Sequence, residues 1–253
     1  RPAPWRAPTA FKAVDQVSLS VRAGETVGLV GESGSGKSTL LRAVLALDPL
    51  QGGAVTLDGR AFPPKRKDEA RRARRDVQAV FQDPYGSFDP RWREADLIAE
   101  PFHLMERPPS AAERAARIAA MLERVGLSAD AAGRYPHQFS GGQRQRIAIA
   151  RALITEPKLV VLDEAVSALD VTVRAQILAL LAELSRELGV AYLFVTHDLS
   201  VVRAVCHRVL VMQSGRIVEE GETARVFDAP QHPYTQSLIA ATPDLERALA
   251  SRG

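Results

Sequence analysis

The chain of 253 residues contains a single cysteine, Cys206. That excludes an intrachain disulfide framework and a thiolate metal cluster built within the chain, and it suits a reducing setting. No run approaches the ~20 consecutive apolar residues of a membrane-spanning helix. The first residues carry Pro2, Pro4 and Pro8 and lack the apolar centre of a signal peptide. Any membrane role is therefore expected to come through another chain. A strong excess of one charge is missing too: the formal net charge is +3, too mild to imply a nucleic-acid partner without a concentrated patch. The densest basic run, Lys65-Arg66-Lys67 with Arg71-Arg72 and Arg74-Arg75, is broken by Asp68 and Glu69 and reads as a solvated helix face. There is no internal repeat and no low-complexity tract. What remains, 46% hydrophobic and 25% charged, is ordinary for a globular protein able to bury a core.

Within that composition one stretch stands out. Gly31-Glu32-Ser33-Gly34-Ser35-Gly36-Lys37-Ser38-Thr39 fits the pattern of glycine, four variable residues, then Gly-Lys-Ser/Thr, and predicts a cradle for a nucleoside triphosphate. Such a loop works when a buried strand precedes it and a helix follows, so that backbone N–H groups and the positive helix end converge on one anion. Both flanks are present: Thr26-Val27-Gly28-Leu29-Val30 reads as a strand, and Leu40, Leu41, Val44, Leu45 and Leu47 recur at helical spacing. Lys37 would place a point charge at the β- and γ-phosphates, and Ser38 would offer an oxygen to Mg²⁺.

Before the loop, Val17, Leu19 and Val21 alternate with Ser18, Ser20 and Arg22 and predict a half-buried strand. After it, a strand is expected over Ala54 to Leu57, closed by an Asp58-Gly59 turn, and another over Asp76 to Phe81, ending at Gln82. Helices are expected over Ala95 to Leu104 and over Ser110 to Val125, where Ser110 and Glu113 have the spacing of a capping box. A long helix opens at Ser140 and runs through Leu153. Leu159 to Leu162 is a buried strand delivering Asp163 and Glu164; a helix over Val171 to Leu188 ends at Gly189; Val190 to Val195 is a further strand leading into Thr196-His197-Asp198. Strand and helix in alternation predict a parallel sheet with right-handed crossovers, and the Pro-punctuated helices read as an insertion in it.

Cleaving a phosphoanhydride needs a phosphate cradle, a metal and an acidic group beside the attacking water. Asp163 and Glu164, at a strand end, are candidates for holding Mg²⁺ and for the general base. Ser140-Gly141-Gly142-Gln143 opens a helix and so forms a second anion site, although the chain has one phosphate loop. The simplest reading is that this second site serves a nucleotide held by another subunit.

The segment Phe139 to Leu153, FSGGQRQRIAIARAL, resembles the signature helix of ATP-binding-cassette (ABC) ATPases. Gln82 is similar to that family's Q-loop glutamine, Ser167-Ala168-Leu169-Asp170 to its D-loop, and His197 to its switch histidine. Within the family, GESGSGKST at Gly31, QDPYGSFDPR at Gln82, the pair Glu100-Pro101, FSGGQRQR at Phe139 and HPYTQSL at His232 resemble the ATP-binding subunits of oligopeptide, dipeptide and nickel importers. His232-Pro233-Tyr234 is itself expected to be a turn before a short helix and to matter as a label of subfamily.

The resemblance implies an α/β fold: a P-loop NTPase core with a mainly parallel sheet, an antiparallel β edge region and an inserted helical subdomain. It implies one ABC ATPase domain over residues 1–253, with the nucleotide-binding core in 1–82 and 157–220, the helical subdomain in 83–156 and a peptide-importer tail in 221–253. The implied ligands are ATP and Mg²⁺. Gly31 through Thr39, Gln82 and Ser140 through Gln143 would contact nucleotide; Ser38, Gln82 and Asp163 would contact metal; Glu164 and His197 would be catalytic. The implied partners are a second ABC ATPase subunit, identical or paralogous, membrane permease subunits and, indirectly, an extracytoplasmic substrate-binding protein, with no nucleic acid. The expected location is peripheral, on the cytoplasmic face of the membrane.

Three features depart from the family pattern. The family's adenine-stacking aromatic is expected before Arg1, with Trp5 or Phe11 as possible substitutes. Ala165 stands where proline commonly follows the catalytic glutamate, which leaves that turn freer. The tail also lacks the cysteines of some dipeptide importers. Two other functions stay open at this point: a soluble ABC protein acting on DNA or ribosomes, and a non-hydrolytic ATP-binding module.

Overall fold

A computed structural model describes residues 12–241, apart from 84, 85 and 87 and the side chain of residue 68. Trp5, Phe11 and residues 242–253 of the tail lie outside the described residues.

The central strand β1 (Thr26–Val30) is buried along its whole length, as a strand with both faces covered must be. The phosphate loop leads into α1 (Lys37–Val44). The apolar spacing predicts a helix through Leu47, but α1 stops at Val44: Ala46 sits at φ 53°, the Leu47 N–H turns back to the Arg42 carbonyl, and Leu47 itself is exposed. A small hairpin of β2 (Val55–Leu57) and β3 (Arg60–Phe62) follows, turned by Asp58 and Gly59 at φ 51° and 72°. The basic run forms α2 (Lys67–Asp76), largely solvated, and leads into β4 (Val77–Val80).

The first predicted helix of the middle region splits. It becomes α3 (Glu94–Ala99) and a 3₁₀ turn over Glu100–Leu104. Pro101 has no N–H to give to the Leu97 carbonyl, so the α ladder cannot continue, and the Glu100 N–H takes that carbonyl in the tighter pattern. Helix α4 (Ala111–Arg124) begins with the expected box: Ser110 Oγ accepts from the Glu113 N–H, and Glu113 Oε2 accepts from the Ser110 N–H. Then come α5 (Gly141–Leu153), β5 (Leu159–Asp163), α6 (Val171–Leu188, capped by Gly189 at φ 65°) and β6 (Ala191–Thr196). The chain closes with α7 (Leu199–Val205), β7 (Arg208–Gln213), β8 (Arg216–Glu222), α8 (Thr223–Asp228) and α9 (Pro233–Ala240).

Six strands form one sheet in the order β4-β5-β6-β1-β7-β8, parallel except for β7 with β8. This is the mixed α/β, mainly parallel architecture expected. Against one face α7 packs so closely on β1 that a Cβ at Gly28 would lie 2.7 Å from Val202 Cγ1, and Cys206, buried beside it, has its thiol pKa pushed up by desolvation. It is a core side chain.

The strand predicted over Val17 to Val21 does not form. Val17, Leu19 and Val21 do pack on the core beside β1, and their burial alternates with Ser18, Ser20 and Arg22. Alternation reports one-sided packing, whereas a strand also needs a hydrogen-bonded neighbour. Among the described residues this segment has no ladder partner.

Candidate functional site

Strand register alone gathers the candidate residues. Val80 of β4 pairs with Leu162 of β5, Leu162 with Phe194 of β6, and Val30 of β1 with Thr196 of β6, so four parallel strands end together. Just beyond those ends lie Gln82, two residues after Val80, Asp163 with Glu164, His197, and the loop from Gly31. This is the crevice outside the strand ends where open α/β sheets bind ligands.

The loop is held from several sides. The Gly215 N–H of the β7–β8 turn donates to the Ser35 carbonyl at 2.8 Å, and the Glu32 N–H donates to the Tyr234 hydroxyl at 2.9 Å. A Cβ at Gly31 would collide with the Met212 carbonyl, and one at Gly36 with the Ala13 carbonyl. Gly34 and Gly36 have φ of 81° and 106°, values that glycine adopts without penalty. Lys37 is buried; its ammonium donates to the carbonyls of Gly31 at 2.6 Å and Glu32 at 2.9 Å and reaches Ser35 Oγ at 3.4 Å. Burial lowers its pKa, and the nearby charges of Glu164, Asp163 and Glu32 oppose that shift.

An anion fits here for a structural reason. The first N–H groups of α1 have no carbonyl one turn back to receive them, and the N-cap residue, Gly36, offers no side chain in its place. Ser33, Gly34, Ser38 and Thr39 are exposed at the same edge. The start of α5 is different. Ser140 Oγ accepts from the Gln143 N–H at 3.4 Å and Gln143 Oε1 from the Ser140 N–H at 3.0 Å, a complete capping box. Ser140, Gly141 and Gln143 face solvent, while Gly142 lies against the first turn of α6, where a Cβ would come 2.5 Å from Val173 Cγ1.

The acidic pair sits in contrasting environments. Burial, and then the neighbouring Glu164, raise the pKa of Asp163, with Lys37 opposing. Glu164 has φ 49°, an uncommon backbone for a non-glycine residue that costs about 1–3 kcal/mol. Its N–H donates to the Val195 carbonyl at 2.8 Å, and its carbonyl receives both the Ser167 N–H at 3.0 Å and the Ser167 hydroxyl at 2.9 Å. These bonds hold the turn that the absent proline would have restricted. The Glu164 carboxylate accepts from His197 Nδ1 at 2.9 Å, bringing two sequence candidates into contact.

Two participants escaped the sequence reading. Arg174, closing the first turn of α6, pairs with Asp198 Oδ2 at 2.7 Å and donates to the Leu169 carbonyl at 3.2 Å. It thus joins the loop after Glu164 to the loop that carries His197. No motif marks an arginine there. Tyr234 lies within HPYTQSL, but nothing in that string points to residue 32.

Ser38 and Asp163 offer hard oxygen donors. Among the described residues no three His, Cys, Asp or Glu side chains converge as a metal cage. That donor set fits Mg²⁺, which keeps waters and phosphate oxygens around it and takes few ligands from protein.

Residues 14–167 match the family profile described as ABC transporter, and residues 218–252 match the profile for the oligopeptide/dipeptide transporter C-terminal region. The chain is 53% identical over 234 residues to the glutathione import ATP-binding protein GsiA of Escherichia coli K12 and to that of Shigella flexneri. The match covers 92% of this chain but only 37% of those proteins. Among solved structures, the ATP-binding cassette MJ0796, dimeric and bound to ADP and Pi, is 32% identical with a TM-score of 0.75, covering 86% of this chain and 94% of that one. The cbiO1 protein of Clostridium perfringens, part of the ABC transporter complex cbiONQ, is 26% identical with a TM-score of 0.78, covering 94% of this chain and 92% of its own.

Proposed function

Because the chain belongs to the ABC transporter family, we propose that it binds and hydrolyses ATP to energise an importer of peptides or related small solutes, working through separate permease subunits. The observation that carries this reading is the hydrogen-bonded pair of Glu164 and His197, beside an uncapped helix start and the buried ammonium of Lys37.

The loop residues Gly31 to Thr39 would receive the phosphates. Lys37 would leave the carbonyls of Gly31 and Glu32 to meet the β- and γ-phosphates, an exchange of neutral acceptors for charged ones. Ser38, Asp163 and Gln82 would hold Mg²⁺, whose charge offsets that of the phosphate oxygens. Glu164 would take a proton from the attacking water, and His197, held by the same carboxylate, would sense the γ-phosphate. The start of α5, with Ser140, Gly141, Gly142 and Gln143, would act on the nucleotide of a second ATPase subunit, displacing its own capping box to do so.

The residue divisions 1–82 with 157–220, 83–156 and 221–253 are proposed as core, helical part and tail. Between β4 and the 3₁₀ turn lies a cleft of about 220 Å³, lined in part by Phe81, Glu100, His103 and Arg151, with Glu100 and Arg151 ion-paired across it. We assign this cleft to the permease, since motion of the Gln82 loop would be felt there. The chain would then sit at the cytoplasmic face of the membrane without entering it, with a substrate-binding protein reached only through the permease. The names of the curated relatives favour a peptide such as glutathione as cargo.

Phosphate release tests the proposal. With ATP and Mg²⁺, Glu164→Gln should lower kcat by roughly 10²- to 10⁴-fold, the share of a general base, while calorimetry still detects ATP binding. Equal rates for the two proteins would refute the assignment of Glu164.

A further inference from the structure

The tail reaches the phosphate loop through the side chain of Tyr234. Glu219 on β8 receives the Gln231 N–H at 2.8 Å and the His232 N–H at 3.0 Å, fixing the chain as it enters α9. His232 Nδ1 then accepts from the Tyr234 N–H at 3.2 Å and caps the helix. So anchored, the Tyr234 ring packs on the main core, and its hydroxyl accepts the Glu32 N–H across 202 residues of sequence.

The peptide it grips faces the nucleotide lysine. That peptide unit joins Gly31 to Glu32, and its carbonyl, that of Gly31, accepts from Lys37 Nζ at 2.6 Å; the Glu32 carbonyl, one unit further on, accepts from Lys37 Nζ at 2.9 Å and from the Ser35 N–H at 3.2 Å. A peptide unit is planar, so fixing the Glu32 N–H also fixes the direction of the Gly31 carbonyl that receives the ammonium. Among the described residues, the other hydrogen bond to the loop from outside it comes from a backbone group, the Gly215 N–H, beside the close approaches of the Met212 and Ala13 carbonyls. Tyr234 is the grip whose polar atom a substitution can remove alone.

We propose that Tyr234 is a positioning residue for the phosphate loop, which it holds through the Glu32 N–H so that Lys37 and the free N–H groups of the loop are arranged for a triphosphate. The inference rests on the ATP-binding reading above. It gives the peptide-transporter tail a role at the nucleotide. Glu32 then serves the loop through its backbone, its N–H being committed to the phenol while its side chain is exposed.

The test is Tyr234→Phe, which keeps the ring and its packing and removes the hydroxyl. In nucleotide-free protein, the Glu32 amide should exchange with deuterium several-fold faster than in wild type. With ATP, KM should rise about 3- to 10-fold, the range for loss of one hydrogen bond, and kcat should fall by less than that factor. A tyrosine that served packing alone would leave both readouts unmoved. Equal exchange and equal KM in a wild-type protein that binds ATP would overturn this inference and leave the proposed function standing. A wild-type chain unable to bind ATP would overturn both.

Discussion

Arg174→Met removes a guanidinium and keeps most of the length of the side chain. Two interactions go with it: the pair to Asp198 at 2.7 Å, in which both side chains are about a quarter exposed, and the bond to the Leu169 carbonyl at 3.2 Å. Exposed ion pairs contribute about 0–1 kcal/mol, whereas breaking a fully buried pair costs about 3–5 kcal/mol, so this intermediate pair belongs near 1–2 kcal/mol. The Leu169 bond adds about 1 kcal/mol. Against this, Arg174 Nε is buried with no hydrogen-bond partner among the described residues, and methionine relieves that group of a burial cost of about 1 kcal/mol. The net loss is about 1–2 kcal/mol, or a fall in Tm of roughly 2–8 °C for a chain of this size. Asp198, which also caps α7 by accepting the Ser200 N–H at 2.9 Å, loses its cation in the variant, and this would loosen the loop bearing His197. Hydrolysis should therefore fall by about tenfold, since misplacement of roughly an ångström can cost more than that. Calorimetry on Arg174→Met, Asp198→Asn and the double variant isolates the pair, with an expected coupling of about 1 kcal/mol. Additive effects would refute the claim that this arginine ties the two loops.

Ser140→Arg should leave the ATP affinity of a single chain unchanged and abolish ATP-driven pairing of two chains, because it fills the proposed anion site; loss of the cap also costs about 0.5–2 kcal/mol of stability, readable by denaturant titration. Asp163→Asn should raise the Tm of the nucleotide-free protein at neutral pH, while reducing the stabilisation that Mg²⁺ with ATP provides. The sign follows from burial: the folded pKa of Asp163 lies above its unfolded value, so its favourable contribution is complete below the unfolded pKa and is lost as pH rises through the folded one. The advantage of the asparagine should accordingly vanish as the pH is lowered toward about 4.

The phosphate loop, the buried strands and the capped helices were legible because each is written in a local code: glycines at fixed spacing, runs of Val and Leu, Ser110 with Glu113. Helix α6 was readable to its last residue, since Gly189 ends it. Long-range pairing was not. Val17 to Val21 has the alternation of a strand, but alternation says nothing of a neighbour. The Glu164 backbone at φ 49° is set by the Val195 and Ser167 bonds, which a glutamate in a sequence does not announce. Arg174 and Tyr234 were invisible as site residues for the same reason. Their partners, Asp198 and Glu32, are brought to them by sheet order and by the packing of α9, and no spacing rule connects them.

The central claim is that each ATP lies between the phosphate loop of one chain and the start of α5 of another. Glu164→Gln, which should hold ATP without splitting it, makes that arrangement measurable by size-exclusion chromatography with light scattering. The account predicts a monomer without nucleotide and a dimer of the 253-residue chain when ATP is present, with Ser140→Arg in the same background staying monomeric. A Glu164→Gln protein that is saturated with ATP and still monomeric at micromolar concentration would contradict it.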